Sequence, residues 1–129
     1  MKFEFGGVLV RKRGKTLLVR EKHKAAKNLW SLPLGFVEKK ESLEEGTIRE
    51  AREESGYDVR LIKKVKSIIV KAKEFRSAHP FLRGEVRLTV FHAKIIGKRP
   101  KKSALKAGWF SNKEIKSLDL RGDWEKKLL

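Results

Sequence analysis

The 129-residue sequence has no cysteine, no glutamine and only three prolines. Without cysteine, the chain has no disulfide framework, no thiolate metal site and no cysteine nucleophile. Its apolar runs are only a few residues long, far short of the ~20 residues of a membrane-spanning helix, and its first residues lack the apolar segment of a signal peptide. These absences predict a soluble, cytoplasmic protein with no membrane partner.

The composition otherwise predicts one folded domain that is rich in charge. Hydrophobic residues make up 40% of the chain, which is enough for a core, and the length predicts a single domain over residues 1–129. Charged residues make up 38%, and thermolabile amides are scarce, a combination found in hyperthermophile proteins. We therefore hypothesise a thermophilic origin, which a melting midpoint typical of mesophile domains would contradict.

The charge is unevenly distributed along the chain. Lys and Arg number 33 against 16 Asp and Glu, a net charge of +17. Residues 38–54 contain seven acids and four bases, a net charge of −3, so the rest of the chain carries +20. Positive charge favours phosphate-rich partners such as nucleotides or RNA, although it also serves solubility. An acidic segment within a basic chain suits a site that holds divalent cations and attracts phosphates.

Strand patterns lie on both sides of this acidic segment. Residues 3–10 and 16–20 are rich in Val, Leu and Phe and are separated by a basic turn, which predicts two strands that pair with each other. Alternation of apolar residues with lysine and other polar residues predicts two further strands over 59–75 and 85–95.

The acidic segment itself predicts a helix. Ser42 and Glu45 form the capping-box pattern that starts a helix, and Gly56 is placed to end it. The predicted helix therefore spans residues 43–55.

Glu50, Glu53 and Glu54 share one face of this helix because they stand at positions i, i+3 and i+4. Like charges at this spacing repel and destabilise a helix by roughly a few tenths of a kcal/mol per pair. Without further evidence, the simplest interpretation of such a face is a helix surface that is exposed to solvent. The same face also suits a hard divalent cation, which prefers carboxylate oxygens as ligands.

The residues around this face resemble the Nudix box, GX5EX7REUXEEXGU, in which U is a bulky aliphatic residue. All seven fixed positions agree: Gly35, Glu41, Arg49, Glu50, Glu53, Glu54 and Gly56. Seven residues at set offsets are far more specific than a short glycine motif. Ala51 and Tyr57 depart mildly from the aliphatic positions, and Leu34 stands where the family commonly has a second glycine. The resemblance extends beyond the box, to the strands on either side of it, Trp30-x-Leu32-Pro33 before it and Trp109-Phe110-Ser111 near the end. The chain is thus similar to Nudix hydrolases over nearly its whole length.

The resemblance implies both a fold and a set of residue roles. The fold would be of the α/β class, with a mixed α+β sheet in an α/β/α sandwich and the box as a loop-helix-loop. The ligands for Mg²⁺ or Mn²⁺ would be Glu50, Glu53, Glu54 and the backbone carbonyl of Leu34. Arg49 would orient the carboxylates, Glu41 would support the metal site, and Gly35 and Gly56 would be structural.

The implied activity is hydrolysis of a diphosphate linkage in a nucleoside diphosphate joined to another group. A metal-activated water attacks phosphorus and a carboxylate accepts its proton. Glu53 or Glu50 is the candidate base, because the loop before Trp109, which supplies an acid in some relatives, has none here. The alternative is Glu85 or Glu74, from a neighbouring strand end.

The sequence constrains the substrate less than it constrains the reaction. The proline that marks many ADP-ribose hydrolases shortly after the box is absent, and Phe75 lies near the position of a tyrosine found in relatives that act on dinucleoside polyphosphates. These features slightly favour nucleoside triphosphates or dinucleoside polyphosphates, with ADP-ribose and RNA 5′ ends as alternatives. Arg20 and Phe75 are the candidate substrate-binding residues. Among the histidines, His79 is the one to test by mutation.

A competing interpretation is a binding module, a Nudix-like fold that holds RNA or a nucleotide without cleaving it. The intact set of box glutamates argues against this interpretation, because a phosphate binder gains nothing from carboxylates that face its ligand. Many members of the family are dimers, so a homodimer is a further option for assembly.

Overall fold

Two four-stranded sheets and one long helix form the described part of the fold. The computed structural model describes residues 3–22, 29–75, 79–97, 101–120, 125 and 128–129. The elements, in chain order, are β1 Glu4–Leu9, β2 Arg11–Lys12, β3 Lys15–Arg20, β4 Trp30–Ser31, β5 Leu34–Phe36, α1 Leu43–Ser55, β6 Asp58–Lys71, β7 Glu85–Ile96, β8 Lys106–Ser111 and α2 Asn112–Ile115. A short 3₁₀ helix, Ala72–Phe75, follows β6.

The first sheet is mixed and has the strand order β5-β1-β7-β6. β1 runs parallel to β7 and antiparallel to β5, and β6 runs antiparallel to β7. A mixed sheet of this kind, with a helix packed against it, confirms the predicted fold class. Within the described residues, no helix combines the length and apolar character needed to cross a membrane.

The second sheet corrects one prediction about strand pairing. β3 pairs with β2, β4 and β8, all antiparallel, but not with β1. The predicted pairing of residues 3–10 with 16–20 is therefore wrong. β1 is hydrogen-bonded on both edges, to β5 and β7, so it has no free edge for β3. The chain changes sheets at the buried Val10, and only the short β2 folds back on β3.

Helix α1 contacts β1, β5 and β6 of the first sheet and β3 and β8 of the second. Its buried side includes Thr47 and Ala51, and a Cβ on Gly6 of β1 would overlap the Thr47 hydroxyl. The glycine therefore lets the helix approach the sheet closely.

Trp109 of β8 donates from Nε1 to the Tyr57 hydroxyl at 3.1 Å, which ties the second sheet to the end of the box.

Candidate active site

Helix α1 begins and ends where the sequence predicts. Ser42 Oγ accepts the N–H of Glu45 at 3.0 Å, and the Glu45 carboxylate accepts the N–H of Ser42 at 2.9 Å. The helix stops at Gly56, whose φ of 81° lies in the left-handed region that glycine adopts without strain. A Cβ at this position would also overlap the carbonyl oxygen of Lys101. The structural role predicted for Gly56 thus has both a conformational and a steric basis.

Arg49 joins the acidic side chains of the box. Its Nε and Nη2 donate to the two carboxylate oxygens of Glu41 at 2.6 and 2.8 Å. Its Nη1 donates to Glu50 and to Glu53, both at 3.0 Å. Nη2 also donates to the carbonyl of Phe36 at 3.0 Å, which links the group to β5. One guanidinium therefore holds the carboxylates of Glu41, Glu50 and Glu53, and the roles that the resemblance gives these residues stay predictions.

Two residues of strand β5 contact the box glutamates. The N–H of Leu34 donates to Glu54 Oε1 at 2.9 Å. Gly35 lies against Glu50, and a Cβ on Gly35 would overlap the Glu50 carboxyl group. Only glycine leaves room for this side chain, which explains the glycine at the start of the box. The structure thus brings Leu34 to the predicted ligands, and the role of its carbonyl remains a prediction.

The pKa values of Glu41 and Glu50 are shifted in opposite directions because their surroundings differ. Burial raises the pKa of Glu50 from its ordinary 4.5 to about 7; Arg49 opposes this effect, and the neighbouring charges of Glu53 and Glu41 add to it. The paired Arg49 guanidinium lowers the pKa of Glu41 to about 2. The pKa of Arg49 itself is raised, chiefly by Glu41. Ionising Glu50 is thus costly without a further positive charge beside it.

A loop closes over the C-terminal end of α1. Its N–H groups donate to the last carbonyls of the helix: Lys101 to Gly56 at 2.5 Å, Ala104 to Glu53 at 2.7 Å and Leu105 to Glu54 at 3.3 Å. Asp58 fixes the same loop through ion pairs with Lys101 at 3.0 Å and with Arg52 at 2.5 Å. These bonds satisfy helix carbonyls that would otherwise lack a partner, and they hold Ala104 and Leu105 beside the box glutamates.

The box glutamates open into a cavity of about 410 Å³. Its lining includes the box glutamates Glu50, Glu53 and Glu54 and the apolar side chains of Phe5, Phe75 and Leu34. The remaining lining residues are Glu21, Lys22, Gly35, His79, Ala104 and Leu105. The cavity therefore combines carboxylates, which suit cations, with apolar and aromatic side chains.

The two predicted substrate-binding residues differ in their relation to this cavity. Phe75 lines it, but its side chain is only 1% exposed and stacks on Phe5 with ring centroids 4.4 Å apart. Phe75 is therefore part of the cavity wall and the core. Arg20 ends β3, and the two residues after it, Glu21 and Lys22, line the cavity in its place.

Sequence reasoning missed Glu21, Lys22 and the ring contacts around His79, although it did single out His79 itself. Glu21 lies outside the box and is surrounded by basic residues, so no pattern singled it out. His79 lies within 6 Å, centroid to centroid, of the rings of Phe36 and Phe81, and the Phe81 side chain is 53% exposed. The Phe-rich composition of residues 3–5 and the His79-Pro80-Phe81 segment was the available signal for this group.

The chemistry of the donors fits a divalent cation. Three carboxylates that line one cavity are the hard oxygen ligands that Mg²⁺ and similar ions take, with water and substrate phosphate completing the shell. The raised pKa of Glu50 also indicates a carboxyl whose ionised form gains from a nearby cation. As placed, the described side chains form no cluster of three or more acidic or histidine ligands.

Comparisons with known proteins agree with this geometry. The NUDIX domain family model matches residues 2–129. This chain therefore belongs to the Nudix family, as the box predicts. It is 38% identical over 100 residues to an ADP-ribose pyrophosphatase from Methanocaldococcus jannaschii, across 78% of this chain and 52% of that protein. The chain spans about one third to one half of the length of the curated relatives that it matches over most of its residues.

Solved structures share the fold. A NUDIX hydrolase from Nitrosomonas europaea superposes with a TM-score of 0.81 at 18% identity, over 98% of this chain and 85% of that one. The NUDIX domain of Shewanella oneidensis NrtR, complexed with ADP ribose, gives a TM-score of 0.72 at 16% identity, over 100% and 90% of the two chains. At these identities, the likeness establishes the architecture alone.

Proposed function

We propose that this protein is a divalent-cation-dependent hydrolase that cleaves a diphosphate linkage in a nucleoside diphosphate joined to another group. The observation that carries the proposal is the convergence of Glu50, Glu53 and Glu54 on one cavity, with Arg49 orienting two of them. The proposed cofactor is Mg²⁺ or Mn²⁺, held by these three glutamates and by the carbonyl of Leu34.

The bound cation would supply Lewis-acid activation of a phosphate oxygen and of a water molecule. The protein's own residues do the rest. Glu41 anchors Arg49 through two hydrogen bonds, and Arg49 keeps Glu50 and Glu53 turned toward each other. The Leu34 N–H fixes Glu54. A ligand set held in this way loses little conformational freedom when substrate binds, which favours a fixed reaction geometry.

The apolar and aromatic lining of the cavity supports a nucleoside as the bound half of the substrate. Phe5 and Phe75 form its wall, and His79 stands at its side with ring contacts to Phe36 and Phe81. Aromatic rings are suitable partners for a nucleobase. The exposed Phe81 is thus a further candidate for base contact, whereas the buried Phe75 acts as support.

Two observations favour different substrates within this class. The 38% identical relative is named an ADP-ribose pyrophosphatase, which favours ADP-ribose. Lys101 and Lys102 in the loop over the end of α1, together with Lys22 at the cavity, favour a substrate with more phosphates, such as a nucleoside triphosphate or a dinucleoside polyphosphate. RNA 5′ ends are a fourth substrate class to test, and assembly as a homodimer is open to sedimentation analysis.

The decisive experiment measures product release from these four substrate classes with Mg²⁺ and then with excess EDTA. We expect release that requires the cation, and a fall in turnover of several orders of magnitude in Glu53→Gln and Glu54→Gln. The matched control is Glu44→Gln, since Glu44 is exposed in the first turn of the same helix and does not line the cavity. Nucleotide or RNA binding without release in any condition would instead support the binding-module interpretation.

A further inference from the structure

A second cavity, of about 530 Å³, lies where β1 ends and β2 begins. It shares no lining residue with the cavity of the box glutamates. Among the described residues that line it there is no acid, and four are Lys or Arg: Arg11, Lys12, Lys63 and Lys94. We call these four residues, together with Arg60, the register partner of Lys94, the basic groove.

The register of β6 and β7 places three of these cations on one face. Arg60 lies directly opposite Lys94, and Lys63 lies directly opposite His92. Directly opposed residues of neighbouring strands project to the same side of a sheet, and so do residues two apart along one strand. Arg60, Lys63 and Lys94 therefore share one face. This placement follows from the pairing of the strands and does not depend on the outline of the cavity.

A basic hairpin follows the strand that borders this face. His92 is also paired with the buried Leu9 of β1, and β2 begins two residues after Leu9. Residues 11–15 are four bases and one glycine, all exposed. Within this hairpin, Lys12 lies directly opposite Lys15. Two separate segments of the chain thus supply cations to the basic groove.

Within the described part of the chain, no ion pair involves a cation of the basic groove. Strands β6 and β7 contain seven Lys or Arg residues and two acids. Asp58 is held in ion pairs with Arg52 and Lys101, and Glu85 lies at the other end of the paired strands. The side chain of Glu74, after β6, lies outside the described residues. Because like charges directly opposite each other destabilise a strand pair, a bound anion would relieve a repulsion built into this surface.

Charge complementarity identifies the occupant of the groove as a polyanion. A second copy of the chain is disfavoured, because a two-fold contact places the same cations of both copies against each other. Lysines along an edge strand such as β6 also oppose pairing with another strand. A concave surface with several cations on one face suits successive phosphates of one chain.

The other lining residues indicate how a nucleic-acid strand is held. Leu9 and Val10 are buried, and Ile62, at a register shift of β6, is 61% exposed. The described lining has no Phe, Tyr or Trp on which bases would stack. Contacts with the phosphate backbone carry no sequence information. A single strand is flexible enough to follow the groove, whereas bending a duplex costs free energy.

We propose that the basic groove binds the phosphate backbone of a single-stranded nucleic acid without selecting its sequence. The contacts come from the cations of β6, of β7 and of the hairpin at residues 11–15. Binding requires neither a divalent cation nor the box glutamates. The proposal therefore goes beyond the proposed hydrolysis and is tested independently of it.

The test measures binding of the full chain to a fluorescently labelled single-stranded RNA of about 12 nucleotides, in EDTA and over a range of salt concentrations. The groove variant combines Lys63→Gln and Lys94→Gln, both at exposed positions. The matched control combines Lys39→Gln and Lys40→Gln, which removes the same charge from the exposed turn before α1. Lys22→Gln tests the cavity of the box glutamates. Melting curves check that each variant folds.

For the groove variant we expect the affinity at about 50 mM salt to fall about tenfold or more, and equally for RNAs of different sequence. The slope of log affinity against log salt should become shallower by about 1.4, since each phosphate contact on a single strand contributes about 0.7. The control and Lys22→Gln should stay within about twofold of the wild type, because salt screens charges that do not touch the ligand.

Equal losses in the groove variant and the control would overturn the proposal and attribute binding to net charge. A loss confined to Lys22→Gln would overturn it in favour of RNA held at the cavity of the box glutamates. Tighter binding of a poly-glutamate peptide or of phosphatidylserine vesicles through the same lysines would assign the groove to another class of partner. A wild type that hydrolyses nucleotides but does not bind RNA at low salt would overturn the groove and leave the proposed function intact.

Discussion

Replacing Glu50 by glutamine should stabilise the cation-free protein at neutral and alkaline pH. Glutamine keeps the shape of the side chain and an oxygen that accepts the Arg49 hydrogen bond, but it removes the charge. The Glu50 side chain is only 16% exposed, and burial raises its pKa from 4.5 to about 7. The ionised form is therefore less favourable in the folded state than in the unfolded state.

The magnitude follows from the pKa difference. At about 1.4 kcal/mol per pKa unit, the shift corresponds to about 3 kcal/mol in the free energy of unfolding. Because the folded pKa is raised, this stability is fully present below pH 4.5 and is lost as pH rises through about 7. Because glutamine does not ionise, Glu50→Gln does not lose this stability as the pH rises. We expect the two proteins to be equally stable near pH 4 and the variant to be about 3 kcal/mol more stable at pH 8.

The assay is denaturant unfolding in EDTA across this pH range, repeated with saturating Mg²⁺. The cation should raise the stability of the wild type by mass action and raise that of Glu50→Gln much less. The difference in the free energy of unfolding between the two proteins should therefore shrink or change sign. Glu53→Gln is the matched control, since that side chain is 54% exposed and surface ion pairs contribute only about 0–1 kcal/mol. A Glu50→Gln protein less stable than the wild type at pH 8 in EDTA would refute the reasoning.

Three further predictions concern residues around the same site. Gly35→Ala should abolish most activity while the protein still folds, because the added methyl group overlaps a box carboxyl; kinetics beside a melting curve check this. Glu41→Gln should cost about 2 kcal/mol at pH 7, the scale of a charge-assisted pair, and the difference from wild type should vanish as pH falls from 4.5 toward 2, because the folded pKa of Glu41 is depressed. Asp58→Asn should increase hydrogen exchange in residues 101–105, whose tether it weakens, and unchanged exchange would contradict the tether.

The sequence determined α1 and the identity of its acidic face. The capping box at Ser42 and the glycine at 56 act through bonds within three or four residues, so the chain segment specifies them by itself. The spacing of Glu50, Glu53 and Glu54 fixes their common face for the same reason. The predicted bounds of α1 and the family therefore both hold in the structure.

Only the tertiary structure decided which strands pair and which other residues meet this face. The partners of β1 depend on which edges are already occupied, a fact that no local pattern contains. Phe75 becomes a wall residue because Phe5, seventy positions earlier, stacks on it. Glu21 reaches the cavity because β3 ends beside it. Contacts between distant segments form through packing of the whole chain, so the set of side chains that line the cavity depends on the tertiary fold, whereas the acidic face of α1 is encoded locally.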